Sequence, residues 1–149
     1  MSRIPRVQEH LKTAFTAEAA SAARYRAYAD QAERDDLPNA AKVWARLAAA
    51  KDRLALALLE AAEEVRGKET DVARAVAEER YENDVLYPKM IKDVGDAGAD
   101  VLLKVVAAQK DHLRQLEALR EALNAAQGDV ALPVEVEKGA AGNQGAARS

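Results

Sequence analysis

Polar side chains interrupt each of the four apolar stripes that run through this 149-residue sequence. Residues three or four positions apart share one face of an α-helix, so such a stripe marks the face that packs inward. Carboxylates, an amide and an imidazole on inward faces can bind a metal cation, and an ammonium group can replace one. The interrupting residues are Glu18, Lys51, Glu79, Glu82, Gln109 and His112.

The interruptions are expected to meet at one level of a helical bundle. Glu18 and Lys51 lie at similar distances from the turn that joins their helices, and so do Glu82 and His112. Buried carboxylates without compensation are costly and become protonated. We therefore expect a metal cation, Lys51, protonated His112 or bound protons to neutralise them. The simpler alternative is that each polar residue only completes a hydrogen bond in the core.

Four segments have helical periodicity, and clear helix breakers separate them. The first segment runs from about residue 5 to residue 34. Asp36 is expected to cap the second segment, which has Pro38 in its first turn. Gly67 is expected to end the second segment, and the third restarts at Thr70.

The fourth segment contains two of the polar interruptions. Gly95 and Gly98 are expected to end the third segment, and Asp100 is expected to cap the fourth. The apolar spacing of three and four then continues through the fourth segment, so Gln109 and His112 are predicted to face inward.

The composition is typical of one helical domain. Hydrophobic residues make up 49% of the chain and aromatic residues only 4%. After Gly128 the sequence is rich in Gly and has no helical period. We predict an all-α four-helix bundle over residues 1–127 and a mobile C-terminal tail over residues 128–149.

Charge and cysteine content exclude several function classes. The formal net charge of −3 gives no reason to expect a nucleic-acid partner or binding to an anionic membrane. The absence of Cys excludes disulfides, thiolate catalysis and Cys-ligated metals. Neither a signal peptide nor an apolar run of about 18 residues is found, so a soluble cytoplasmic protein is expected.

The stretch LKTAFTAEAASAARYRAYADQA has an A-F-x-x-E pattern, which is followed by Arg-Tyr and a run of Ala. It resembles the first helix of rubrerythrin-type, ferritin-like diiron domains. The resemblance places Glu18 on a ligand Glu and Tyr25 on a Tyr of the family. It covers about residues 8–124, and it implies a ferritin-like four-helix bundle with an iron site.

The third and fourth segments extend this resemblance. In AEERYENDVLYPKM, Glu79 and Glu82 match the family's E-x-x-E pair, which precedes a Tyr-Pro that is here Tyr87-Pro88. The QKDH stretch matches the family's second E-x-x-H, with Gln109 in place of the Glu. Tyr25 and Tyr87 are then expected to bond to the carboxylates or relay electrons, unless they are only core aromatics.

The second segment departs from the family pattern. The first E-x-x-H belongs 33 residues after Glu18, where this chain has Lys51-Asp-Arg-Leu54. Two ligands are therefore lost there and a third at Gln109, so the family's two-iron site is not expected. The Cys-bearing rubredoxin domain of true rubrerythrins is also missing, which argues against ordinary rubrerythrin peroxidase activity.

Two interpretations follow, and they differ in the role of Lys51. In the first, Glu79, Glu82 and His112 hold one iron or manganese ion, with Glu18 reaching across and Gln109 as a weak ligand or hydrogen-bond donor. The protein is then an oxidoreductase for dioxygen or peroxide, with an unknown electron donor. In the second, Lys51 replaces the metal charge, and a metal-free bundle has a structural, partner-binding or radical role.

The connection between the second and third segments is short for this family, since only 25 residues separate Leu54 from Glu79. One explanation is that the second helix ends early and residues near 63–71 run extended. Another is a short turn that gives an up-down-up-down bundle. The third is an exchange of helical hairpins between two chains, and we expect a homodimer.

Overall fold

The computed structural model describes residues 5–134, and most of them are helical. No strand occurs within this range, which confirms the predicted all-α class. Residues 126–134 follow the last helix without helical structure, and residues 135–149 of the predicted tail lie outside the described part. The elements are α1 (Pro5–Arg34), α2 (Pro38–Ala61), α3 (Lys68–Tyr81), a π-helix (Glu82–Leu86), α4 (Tyr87–Val94) and α5 (Asp96–Ala125).

The chain divides into two compact units between Arg66 and Gly67. Hairpin 1 contains α1 and α2, and hairpin 2 contains α3, the π-helix, α4 and α5. The division into residues 1–127 and 128–149 stays a prediction. Within residues 5–134 no helix is long and apolar enough to cross a membrane.

Hairpin 1 has a core made of small side chains. Gln8 Nε2 donates to the Ala62 carbonyl over 2.9 Å, which ties the start of α1 to the end of α2 and makes the helices antiparallel. Alanine at each contact lets two helix axes approach closely. The buried apolar residues of this unit are Ala22, Ala32, Ala41, Ala48, Ala55 and Ala62.

The turn between α1 and α2 corrects the predicted role of Asp36. Leu37, rather than Asp36, is the N-cap of α2, and Asp36 has a φ of 58°. The Leu37 N–H donates to the Ala32 carbonyl and the Asp36 N–H to the Glu33 carbonyl. These two bonds form a Schellman motif, so Asp36 ends α1 instead of starting α2.

Hairpin 2 has larger core residues. Val72 and Val76 of α3 are buried, as are Val106 and Ala118 of α5. Helix α3 begins at Lys68, two residues before the predicted restart at Thr70.

Gly95 sets the junction between α4 and α5, and the expectation that Gly98 also ends the third segment is wrong. Gly95, with a φ of 58°, directly precedes α5, which begins at Asp96 and includes Gly98. The prediction that Asp100 caps the last helix is therefore wrong, because a residue with positive φ already reverses the chain at Gly95.

A π-helix interrupts the run from α3 to α4. The Tyr87 N–H donates to the Glu82 carbonyl, five residues back, at the end of the Glu82–Leu86 segment. Pro88 has no N–H, and its ring clashes with the carbonyl four residues before it in a regular α-helix. Widening the turn relieves that clash, so the structure has a π-helix where a kink is the usual result.

Candidate functional site

In hairpin 1, Glu18 and Lys51 form an ion pair across the two helices. Lys51 Nζ lies 2.8 Å from Glu18 Oε2, and the side chains are 29% and 23% exposed. Outside this pair, Arg26 and Asp52 make a second, more exposed ion pair between the same helices at 2.9 Å. The ammonium group of Lys51 therefore supplies the positive charge beside Glu18.

The environment of Lys51 favours its charged form. Its pKa is raised above the ordinary value of 10.5, chiefly by the hydrogen bond to Glu18. Desolvation opposes the rise, whereas the negative charges of Glu18 and, at high pH, Tyr25 increase it. Lys51 therefore stays an ammonium group throughout the neutral range.

Tyr25 belongs to an aromatic cluster on the same hairpin. Its ring centroid lies 5.2 Å from that of Trp44 and 6.1 Å from that of Tyr28. Tyr28 meets Trp44 edge to face, with 5.0 Å between the centroids. The cluster fixes the Tyr25 ring near Lys51, where the phenol oxygen affects the lysine pKa.

In hairpin 2, α3 and α5 bring four of the predicted residues together. Gln109 Nε2 donates to Glu82 Oε2 over 2.7 Å. His112 Nδ1 lies 3.9 Å from Glu79 Oε1, which is longer than a hydrogen bond. Gln109 therefore donates to a carboxylate, while its predicted role beside a metal ion stays a prediction.

His112 is more exposed than the sequence pattern predicts. Its side chain is 56% exposed, whereas that of Glu79 is 23% exposed. The face of α5 that packs in this unit contains Val106, Gln109 and Leu113, so His112 lies at its edge. An imidazole at the edge can still reach an inward carboxylate.

Hairpin 2 contains buried polar atoms that have no hydrogen-bond partner in the described part of the chain. Glu79 Oε2 and Gln109 Oε1 have no hydrogen bond to any residue within 5–134. The same holds for both polar atoms of Asn83, the one buried polar residue of this range, at 6% exposure. Asn83 falls on the apolar stripe of the third segment, but as an uncharged residue it gave no signal of a site.

Tyr87 begins α4, directly after the π-helix, and it is half-buried. The structure thus places Tyr87 in hairpin 2 and Tyr25 in hairpin 1. Glu18 and Lys51 also belong to hairpin 1, apart from the acidic residues of hairpin 2 in the chain. That all these side chains share one site stays a prediction.

The donor set does not suit two metals bound in the usual way. Lys51 and Leu54 have no ligand atoms to offer in place of an E-x-x-H, and Lys51 is paired with Glu18. The chemistry of Glu79, Glu82 and His112, two carboxylates and an imidazole, suits one iron or manganese ion. In the described part of the chain, no three His, Cys, Asp or Glu side chains are grouped closely enough to hold a metal ion.

Long helices with inward carboxylates are features of ferritin-like proteins. The sequence model of the rubrerythrin family matches residues 9–120. The chain therefore belongs to the rubrerythrin family, and the predicted resemblance and ferritin-like fold are confirmed. A comparison with curated proteins gave no match.

Proposed function

We propose that this rubrerythrin-family protein is an oxidoreductase that uses one iron or manganese ion, held by Glu79, Glu82 and His112. Beside Glu18, the ammonium group of Lys51 supplies a positive charge, as a second metal ion does in a diiron site. The family typically binds iron, and this supports the choice of metal. The substrate is dioxygen or peroxide, and an external donor supplies the electrons.

One observation carries the proposal: Glu79 Oε2 is buried and has no hydrogen-bond partner among residues 5–134. A buried carboxylate oxygen is costly unless a cation or a proton meets it. Glu82 lies one turn further along the same helical run, and His112 Nδ1 is 3.9 Å from the other oxygen of Glu79. Glu79, Glu82 and His112 belong to elements that pack together, which supports a single cation between them.

The protein residues have separate roles in this proposal. A bound metal would supply a redox centre that polarises the substrate. Gln109 orients Glu82 through the 2.7 Å hydrogen bond. Lys51 keeps Glu18 neutralised, and Tyr87, which belongs to the same hairpin as Glu79 and Glu82, is the group from which electrons or protons reach the substrate.

A metal-free bundle with a structural, partner-binding or radical role is the second candidate. It is favoured by the 2.8 Å ion pair of Lys51 with Glu18 and by the bond of Gln109 to Glu82. Two of the inward carboxylates then already have a protein partner, and Glu79 has His112 Nδ1 at 3.9 Å.

Metal analysis separates the two candidates. Protein loaded anaerobically with Fe(II) or Mn(II) should retain about one metal per chain after desalting, and His112→Ala should lose it. His10→Ala, which changes the other histidine, is the matched control and should retain the metal. A ratio near zero for the wild type would rule out the oxidoreductase with a single metal.

We also propose that the protein is a homodimer. Val43, Leu47 and Leu54 of α2 are 49%, 45% and 51% exposed, and their spacing is that of a helix-packing stripe. Light scattering should give the mass of two chains, and Leu47→Glu with Leu54→Glu should give one. Exchange of hairpins within the dimer and a cytoplasmic location stay predictions.

A further inference from the structure

Asn83 is a buried amide whose hydrogen bonds are not made by the protein. Its side chain is 6% exposed, and neither Nδ2 nor Oδ1 has a partner among residues 5–134. Folded proteins rarely bury a polar side chain without a partner, because the lost hydration is not repaid. The amide therefore points to a small polar molecule as its partner.

The local fold brings Asn83 towards the acidic cluster. Asn83 lies in the π-helix, four residues after Glu79 and next to Glu82, and α3 and the π-helix both pack on α5. Residues four apart share a helix face, so Asn83 and Glu79 lie one above the other. π-helical turns are frequent at functional sites because they shift side chains relative to a regular helix.

The unpaired atoms define the chemistry of the ligand. Glu79 Oε2 and Gln109 Oε1 are acceptors, while the Asn83 amide both donates and accepts. The matching molecule is small and neutral and carries O–H groups that donate as well as lone pairs that accept. An anion is disfavoured by Glu79, and a metal cation cannot use the amide N–H groups.

We propose that Asn83 is the residue that binds and positions hydrogen peroxide beside Glu79. The choice of peroxide over other small hydroxyl compounds rests on the proposed function. The Asn83 Nδ2–H donates to a peroxide oxygen, and the two peroxide O–H groups donate to Asn83 Oδ1 and Gln109 Oε1, which leaves Glu79 Oε2 to the metal. Asn83 acts as a positioning residue, and it forms or breaks no covalent bond.

The first test uses metal-free wild-type protein, so it does not depend on the metal proposal. Protein labelled with ¹⁵N at Asn is titrated with hydrogen peroxide, and the side-chain amide signals are followed by NMR. We expect the Asn83 signal to shift saturably while that of Asn124, an exposed asparagine of α5, does not. The proposal would be overturned if the Asn83 amide shows NMR contacts with water but its signal does not shift on addition of peroxide.

The second test measures peroxide consumption by the iron-loaded protein. Asn83→Leu should raise KM about tenfold, as expected for the loss of about one hydrogen bond, with little change in kcat. Asn124→Leu, the same substitution on the surface, should leave both unchanged. An unchanged KM in a folded Asn83→Leu variant would contradict the proposal. If the protein binds no metal and consumes no peroxide, the proposed function is wrong. The NMR titration of the metal-free protein then tests by itself whether Asn83 binds peroxide.

Discussion

In hairpin 1 the inward carboxylate of Glu18 meets a full positive charge, because Lys51 Nζ lies 2.8 Å away. In hairpin 2 the carboxylate of Glu82 accepts a hydrogen bond from the neutral amide of Gln109. The imidazole of His112 lies 3.9 Å from Glu79 Oε1, and Glu79 Oε2 has no hydrogen-bond partner among residues 5–134. Hairpin 1 therefore supplies a compensating charge from its own sequence, whereas hairpin 2 pairs Glu82 with a neutral group. This difference explains how a family member can lose three ligands on two helices and keep its remaining acidic residues.

The two hairpins also differ in their cores. Hairpin 1 packs α1 on α2 almost entirely through alanine, whereas hairpin 2 buries Val72, Val76 and Val106. An alanine interface holds helices close together and tolerates enlargement poorly. Small side chains at this interface thus allow the Lys51–Glu18 contact to be short and direct.

The largest expected effect comes from reversing the charge at Lys51. Lys51→Glu places a second carboxylate beside Glu18, so the metal-free variant should unfold more easily than the wild type. Added Mn(II) should then stabilise it by about 2.7 kcal/mol at roughly 100 times the Kd, measured by thermal unfolding. Lys51→Gln, which brings no charge, is the control and should gain no more stability from Mn(II) than the wild type does. A Lys51→Glu variant that is indifferent to metal would remove the distinction between the hairpins.

Enlarging the alanine interface is expected to have the next largest effect. Ala48 is 2% exposed, so Ala48→Leu should lower the free energy of unfolding by about 1–3 kcal/mol through overpacking. Ala49→Leu is one residue away on the exposed side of α2 and should change it by less than about 0.5 kcal/mol. Urea unfolding measures both, and equal effects would show that the interface is not tight.

Removing the amide beside Glu82 tests hairpin 2. Gln109→Leu should cost about 1 kcal/mol, because Glu82 loses its hydrogen bond in a half-buried place. Gln115→Leu removes a similar bond, from Gln115 Nε2 to Asp111, at an exposed position of α5. The control should cost clearly less in the same urea experiment. Matching costs would mean that Glu82 is as well solvated as a surface carboxylate.

The smallest effect concerns the pH dependence of the lysine pair. The pKa of Lys51 is raised on folding by its bond to Glu18, so the ion pair contributes its full stability below about pH 10.5. The contribution is lost as the pH rises further through the folded-state pKa. The difference in stability between wild type and Lys51→Met should thus be constant at neutral pH and shrink above about pH 10.5. Lys42→Met, at an exposed position of α2, controls for general effects of base.

Periodicity was sufficient to predict the helices but not all their ends. The first segment matches α1 at both bounds, because its breakers are unambiguous. The prediction of Asp36 as a cap was wrong, because Asp, which suits an N-cap, also tolerates the left-handed backbone conformation that Asp36 adopts. The prediction of Asp100 as a cap was wrong because the chain turns earlier, at Gly95. The π-helix was not predicted, because a proline within a helix usually produces a kink instead.

Contacts of the candidate site that depend on charge could be predicted from the sequence, whereas contacts and exposures that depend on helix geometry could not. The pairing of Lys51 with Glu18 follows from opposite charges on facing stripes, whereas the bond from the uncharged Gln109 to Glu82 depends on the geometry of the two helices. The exposure of the His112 side chain depends on the rotation of α5 about its own axis. A shift of the packed stripe by one residue changes that rotation, and the sequence does not determine it. Asn83 could not be selected from sequence because only its burial without partners distinguishes it.

The aromatic cluster gives the protein a built-in optical label. Trp44 is the only tryptophan of the chain, and it packs on Tyr25 and Tyr28 within hairpin 1. Fluorescence excited selectively at tryptophan therefore reports on hairpin 1 alone, whereas circular dichroism reports on the helices of both hairpins. Coincident urea curves from the two signals would show that the hairpins unfold as one cooperative unit. Separate midpoints would give each hairpin its own stability without any change to the sequence.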